Sequence, residues 1–153
     1  MGMGQLISED MQSWIGRKAP NITLEISRRD IIKYSIATEQ RQKRFLTGDI
    51  APPMFLFGAD RPLTPLKDLN SDGLGRDPLT PPLPLKRVMA GGIRQRFFQQ
   101  IKAGDSLTLE RQITDIYEKK GKTGPLIFVV YLISVINQKG ELVMKITQSR
   151  INR

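Results

Sequence analysis

The side chains that most often move protons or hold metals are missing: the sequence contains neither a histidine nor a cysteine. Histidine is the commonest general base near neutral pH and the usual ligand of catalytic zinc, so any catalysis must rest on other groups. Without cysteine there is no disulfide framework, no thiolate metal site and no cysteine nucleophile. Among oxygen-rich stretches, Asp68-Leu69-Asn70-Ser71-Asp72-Gly73 matches the first six positions of a calcium loop. Its twelfth position is Leu79, where a bidentate glutamate is required, so Asx turns explain the pattern better and no metal site is expected. Gly121-Lys122-Thr123 has the ending of a phosphate-binding loop, yet Ile116 stands where the first glycine must be, and a hairpin follows instead of a helix.

Charge narrows the partners. The 24 Lys plus Arg against 15 Asp plus Glu give a net charge of +9, which attracts polyanions such as nucleic acids or phosphorylated carriers. Lys119, Lys120 and Lys122 form the tightest basic cluster, flanked by Tyr117 and Phe128, while the other basic residues are scattered along the chain. Scattered charge reads as a solvated surface, which disfavours nucleic acid as the partner. No stretch approaches the roughly 20 apolar residues of a membrane span, since the longest run, Leu126 to Ile133, is strand length. The N-terminus lacks a basic segment leading into an apolar core, and Leu6 occupies the position where a myristoylation signal needs Ser or Thr. A soluble, cytoplasmic protein is expected.

The elements that must position any site fall into two unlike halves. Ile22 to Ile26 alternates as a short strand, and Ser27 is placed to cap a helix running from Arg28 to about Thr38. Ile31, Ile32, Ile36 and Tyr34 give that helix an apolar face. Pro52 and Pro53 suit the start of a short buried helix, Ala51 to Gly58. Eight of the ten prolines lie between Pro52 and Pro84, so residues from about 59 to 87 are expected as a long loop or lid. The second half predicts four strands: Ile93–Ile101, Leu107–Tyr117, Leu126–Ile136 and Leu142–Ile151. Ala103-Gly104-Asp105, a loop from Lys119 to Pro125, and Asn137-Gln138-Lys139-Gly140 punctuate them as consecutive hairpins of an antiparallel sheet. Leu126–Ile136, apolar on both faces, is the central strand. Phe97 and Phe98 should face opposite ways, one to the core and one to a partner or ligand. Gly91 and Gly92 allow close backbone approach at the start of that strand and suit a bulge.

These residues carry a resemblance to the N-terminal dehydratase domain of the MaoC-like hotdog family, the FAS1-like type, over nearly the whole chain. Ile15-Gly16-Arg17 resembles its opening, Ala51-Pro52-Pro53-Met54-Phe55 its Ala-Pro-Pro-x-Phe segment, and Gly104-Asp105 its Gly-Asp. Ile116 to Val129 is similar to its tyrosine, glutamate, lysine, glycine-proline and apolar-strand run, and Gly140-Glu141-Leu142-Val143 to its last hairpin. The resemblance implies an α+β hotdog fold, a curved antiparallel sheet wrapped around a helix, spanning 1–153 as one domain. It further implies side-by-side dimers, binding of acyl thioesters of coenzyme A or acyl carrier protein, and reversible hydration of a trans-2-enoyl thioester with no other cofactor.

Active members of that family use an aspartate and a histidine that follow the helix to orient and deprotonate water. Matching Tyr34 to Thr38 to the helix end puts Gln40 at the aspartate and Phe45 at the histidine, leaving no catalytic residue to assign. Glu39 or Asp49 remains as a carboxylate that could order a water, and Ala90 replaces a second histidine. The expected function is therefore a non-catalytic subunit of a heteromeric (R)-specific enoyl-CoA hydratase or 3-hydroxyacyl-thioester dehydratase, with a homologous partner chain supplying the dyad. The alternatives are a stand-alone homodimer that binds acyl thioesters and a basic nucleic-acid-binding protein. Candidate substrate contacts are Phe55, Gly91, Gly92 and, toward the phosphates of coenzyme A, Lys119, Lys120 and Lys122.

Overall fold

A computed structural model describes residues 6–153 of the chain. In chain order the elements are α1 (Glu9–Gln12), β1 (Ile22–Glu25), α2 (Arg28–Ala37), α3 (Lys43–Leu46), a single 3-10 turn (Leu66–Asp68), β2 (Val88–Phe97), β3 (Ser106–Gly121), β4 (Gly124–Ile136) and β5 (Leu142–Asn152). All five strands join one sheet in the order β1-β3-β4-β5-β2, and every pairing is antiparallel. β4 is central, as its apolar sequence requires, and β1 and β2 form the edges. The reading of the N-terminus as free of targeting signals falls largely on residues 1–5, outside the described residues. No described helix is long and apolar enough to cross a membrane.

The helix α2 starts where Ser27 satisfies a free amide: Asp30 N–H donates to Ser27 Oγ at 3.0 Å, and Ser27 Oγ donates to Asp30 Oδ2 at 2.7 Å. It stops at Thr38, and the next residue, Glu39, takes the left-handed conformation with φ of 54°. Ile31 and Ser35, four residues apart, face the sheet and are fully buried. Ile36, expected on the apolar face, is instead 65% exposed, because the stripe through positions 31 and 35 is the one that meets the strands. Ile31 packs with Leu107, Leu109, Ile133, Val135 and Met144. Together they form the larger of two core clusters on the concave face.

The smaller cluster is covered by the proline-rich segment and the N-terminal residues. Leu79 and Leu83 pack onto Ile113, Ile116, Ile127 and Val129, with Ile7 and Trp14 alongside. The segment is thus docked onto the sheet, and only Leu66–Asp68 within it is helical. Its Asp72 Oδ1 accepts from Leu74 N–H at 3.0 Å, the Asx turn expected there.

Three expectations need correction. Ala51–Gly58 is not a helix: its backbone makes successive four-residue β-turns, among them Phe55 N–H to Pro52 O and Phe57 N–H to Met54 O, each 3.0 Å. Only Leu56 of the expected apolar four is buried, and Phe57 is 67% exposed. The first strand of the second half is Val88–Phe97, so it begins five residues earlier than expected and ends before Ile101, which turns into the core. Finally, β3 and β4 run on to Gly121 and Gly124, so Lys119 and Lys120 lie within a strand and only Lys122 and Thr123 form the turn.

Candidate functional site

Along the concave face the inward positions of β3 are Leu107, Leu109, Arg111 and Ile113, and those of β5 include Met144, Ile146, Gln148 and Arg150. Tyr131 of β4 lies between Ile113 and Gln148 in the register. A polar patch therefore interrupts the apolar face where the two core clusters meet. A buried guanidinium is costly unless paired and hydrogen-bonded, and the proline-rich segment supplies the partners. Asp77 accepts both Arg111 Nη1 at 3.0 Å and Arg111 Nη2 at 2.7 Å, the fork geometry that favours arginine, and also Arg150 Nη2 at 3.0 Å. Asp60, 7% exposed, approaches Arg111 Nε at 3.7 Å, and Gln148 Nε2 donates to it at 3.4 Å. Arg111 and Arg150 stand 4.6 Å and 5.6 Å from the centre of the Tyr131 ring, whose hydroxyl donates to Leu79 O at 3.0 Å.

The charges fix one another. Burial alone would raise the Asp77 carboxyl, but hydrogen bonds and charge from Arg111, the Leu79 N–H and the charge of Arg150 outweigh it and hold it at about 2. Burial would lower Arg111, and the bond to Asp77 reverses that and raises it. Burial pushes the Tyr131 hydroxyl up. At neutral pH the patch holds charged aspartate and arginine beside a neutral phenol.

Next to this patch lies an open groove of about 410 Å³. Asp60, Arg61, Arg111, Tyr131 and Arg150 line one side, and Phe57, Val88 and Ile93 the other. A pocket that joins apolar wall to a few converging polar groups is the usual form of a small-molecule site. Gly91 and Gly92 border it at a bulge between Ala90 and Ile93. A Cβ on Gly91 would strike Ser149 Oγ and lie 2.8 Å from Ser149 O, so only glycine allows β2 to pass. Gly92 N–H donates to Ser149 Oγ at 2.9 Å.

A second cavity, about 320 Å³, lies at the other end of β2 between Phe45, Pro52, Phe97, Phe98 and Ile101. Phe45, at the position matched to the family's histidine, is 6% exposed and sits beneath the Arg44 guanidinium. Gln40, at the aspartate's position, donates to Thr38 Oγ1 at 3.2 Å. Neither Glu39 nor Asp49 lines this cavity. Asp49 is exposed and bound by Arg28 and Thr47, whose hydrogen bonds lower its carboxyl and weaken it as a base. Phe97 and Phe98 are both exposed, against the expectation that one enters the core, because they lie at the end of an edge strand.

Of the candidate contacts, the structure gathers only Gly91 and Gly92 at the groove. Phe55 packs edge-on against Tyr34 at 5.5 Å. Lys119 covers the stacked rings of Tyr117 and Phe128, 5.3 Å and 5.4 Å from their centres, on the opposite sheet face; Lys120 and Lys122 are exposed at the hairpin tip. Sequence reasoning passed over Arg111, Gln148 and Arg150, although charged and amide side chains in phase with buried apolar ones are a legible signal.

Residues 13–146 match the family described as FAS1-like, dehydratase domain region. The chain belongs to that family. A mesaconyl-C(4)-CoA hydratase of Chloroflexus aurantiacus is 31% identical over 123 residues, 80% of this chain and 44% of the relative. The chain thus spans less than half the length of that curated relative. Among solved structures, the ChsH1-ChsH2 complex of Mycobacterium tuberculosis aligns with a TM-score of 0.69 at 14% identity, over 95% of this chain and 96% of that one. The 3R-hydroxyacyl-ACP dehydratase HadBC complex of the same organism gives 0.65 at 18%, over 91% and 97%. The R-hydratase PhaJ1 of Pseudomonas aeruginosa gives 0.56 at 22%, over 90% and 81%. These likenesses show the hotdog fold, a MaoC-like dehydratase scaffold.

Proposed function

We propose that the chain is the non-catalytic, acyl-thioester-binding subunit of a heteromeric (R)-specific enoyl-CoA hydratase or 3-hydroxyacyl-thioester dehydratase. The observation that supports this reading is Phe45, matched in sequence to the family's histidine and buried at a cavity with no carboxylate on its wall. A phenyl ring neither accepts nor gives a proton, so the water must be activated by another chain. β2 offers a way in. It is an unpaired edge with Val88, Ile93 and Phe97 exposed on its inner side, and both cavities open along it. A second hotdog chain added at this edge brings its own dyad beside the groove, where Gly91 and Gly92 let a thioester approach the backbone. Two of the structural relatives are described as two-component complexes, and the hydratase relative has more than half its length outside the match. Both fit a unit completed by another.

Co-expression with a histidine-bearing hotdog chain encoded beside it, followed by a crotonyl-CoA hydration assay, tests the reading. The complex is expected to turn over substrate and the isolated chain to be inactive. Robust turnover by the isolated chain overturns it. A stable homodimer that binds acyl-CoA and recruits no such partner instead favours a stand-alone thioester-binding protein.

A further inference from the structure

The unpaired edge of the sheet is charged on one face only. Along β2 the inner positions Ile93, Gln95 and Phe97 carry no charge, and the alternate, outer positions are Arg94 and Arg96. Arg96 lies directly across from Lys145 of β5, and all three cations are exposed. Like charges set opposite each other in a ladder repel, so the chain alone bears this row at a cost. Nothing nearby balances it. Neither β2 nor β5 contains an acidic residue, and none of the three cations forms an ion pair among the described residues. Glu110, in the same cross-strand row, is separated from Lys145 by Ser134 of β4, and Glu141 is engaged by Asn137 and Gln99. The Phe98 ring, its centre 5.0 Å from the Arg96 guanidinium, orients that side chain and supplies no counter-charge.

This pattern decides which chain can pair at the edge. Two copies meeting at β2 do so about a twofold axis, so each residue faces its equivalent or a near neighbour on the other copy. With that axis at Ile93, Arg94 or Gln95, the arginines of one copy stand opposite or diagonal to those of the other, about 5–8 Å apart. That separation is inside the roughly 10 Å Debye length at 0.1 M salt, so the repulsion is felt. A chain with carboxylates at the facing outer positions meets attraction instead, while Ile93 and Phe97 on the inner side offer apolar surface to either partner.

We propose that the β2 edge rejects a second copy of this chain and takes a hotdog partner whose own edge strand carries Asp or Glu at the outer positions facing Arg94 and Arg96. The inference rests on the heteromeric reading above and adds the partner's charge to it. A copy carrying Arg94→Glu and Arg96→Glu serves as an acid-edged partner, since both positions are exposed. Sedimentation velocity of the wild type, the variant and their equimolar mixture, at ionic strengths of about 0.01 M and about 1 M, tests the inference. At low ionic strength the mixture is expected to dimerise at least about tenfold more tightly than either protein alone, and the difference should shrink at high ionic strength. The wild type alone gives an independent reading: its self-association should strengthen as salt is added. Arg29→Glu with Lys33→Glu, the same change of charge on the exposed side of α2, should gain no affinity for the wild type. A wild-type dimer as tight as the mixed one at low ionic strength overturns the inference. So does equal association of the α2 variant, which would mark the effect as net charge, and so does a mixture that stays monomeric, which would make the arginines a guard on a bare edge. The heteromeric reading is decided separately, by the turnover assay above.

Discussion

Two cavities lie along the inner edge of β2, about four residues apart, and they have opposite characters. The one at Phe45 and Phe97 stands where the family resemblance places proton transfer, and its walls are apolar side chains, backbone and amides, with Arg44 the one charged residue among them. The one at Gly92 and Arg150 lies beside a buried ionic cluster, and arginine, aspartate, tyrosine and glutamine converge on it. The apolar end is held by packing, with the Arg44 guanidinium over the Phe45 ring. The polar end is held by charges that Asp77 joins in pairs, which makes its stability depend on pH.

The largest effect that sharpens this contrast comes from Asp77→Ala. It strands Arg111 and Arg150 in the interior, and the loss of one partner from a buried ionic cluster costs about 3–5 kcal/mol, readable by urea denaturation at neutral pH. A loss below about 1 kcal/mol would mean that water reaches the guanidiniums freely.

Acid gives the next largest. The Asp77 carboxyl lies at about 2 in the folded chain against 3.8 as its ordinary value. At pH 3 the unfolded chain carries that proton and the folded chain does not, so unfolding takes up a proton and stability falls as acid is added. The contribution is present above pH 4 and is lost toward pH 2, amounting to about 2 kcal/mol, and Asp77→Ala should remove that part of the slope. Phe45→Leu at the apolar end should cost about 1 kcal/mol and leave the slope between pH 4 and pH 2 unchanged. A slope altered by Phe45→Leu would break the separation of the two ends. The smallest effect belongs to the convex face, where Lys119→Ala should cost about 0.5 kcal/mol by removing an exposed cation from the Tyr117 and Phe128 rings.

Much of the scaffold could be read from local chemistry. Ser27 followed by Asp30 marks the start of α2, and the alternation of Leu107 to Ile113 marks β3 with its inward face. The start of β2 was illegible because Gly91 and Gly92 are poor strand formers, and only their fit against Ser149 on the neighbouring strand makes them a bulge. Ile101 reads as strand and instead enters the core after a turn, a choice made by tertiary packing. The lack of any histidine is plain from composition, whereas Gln40 and Phe45 are matched to the dyad only through the family resemblance. Half the polar site was legible too, since Arg111 and Arg150 fall in apolar phase, but its partners Asp60 and Asp77 come from a segment with no periodicity. Nothing in their local sequence says that they turn inward.

The central claim is that the proton-transfer groups belong to a partner chain. In the reconstituted complex, alanine in place of the partner's dyad histidine should lower kcat for crotonyl-CoA hydration about 10²–10⁴-fold, the range general acid–base catalysis supplies, while this chain remains intact. Turnover that survives that replacement would place the chemistry in this chain and contradict the account.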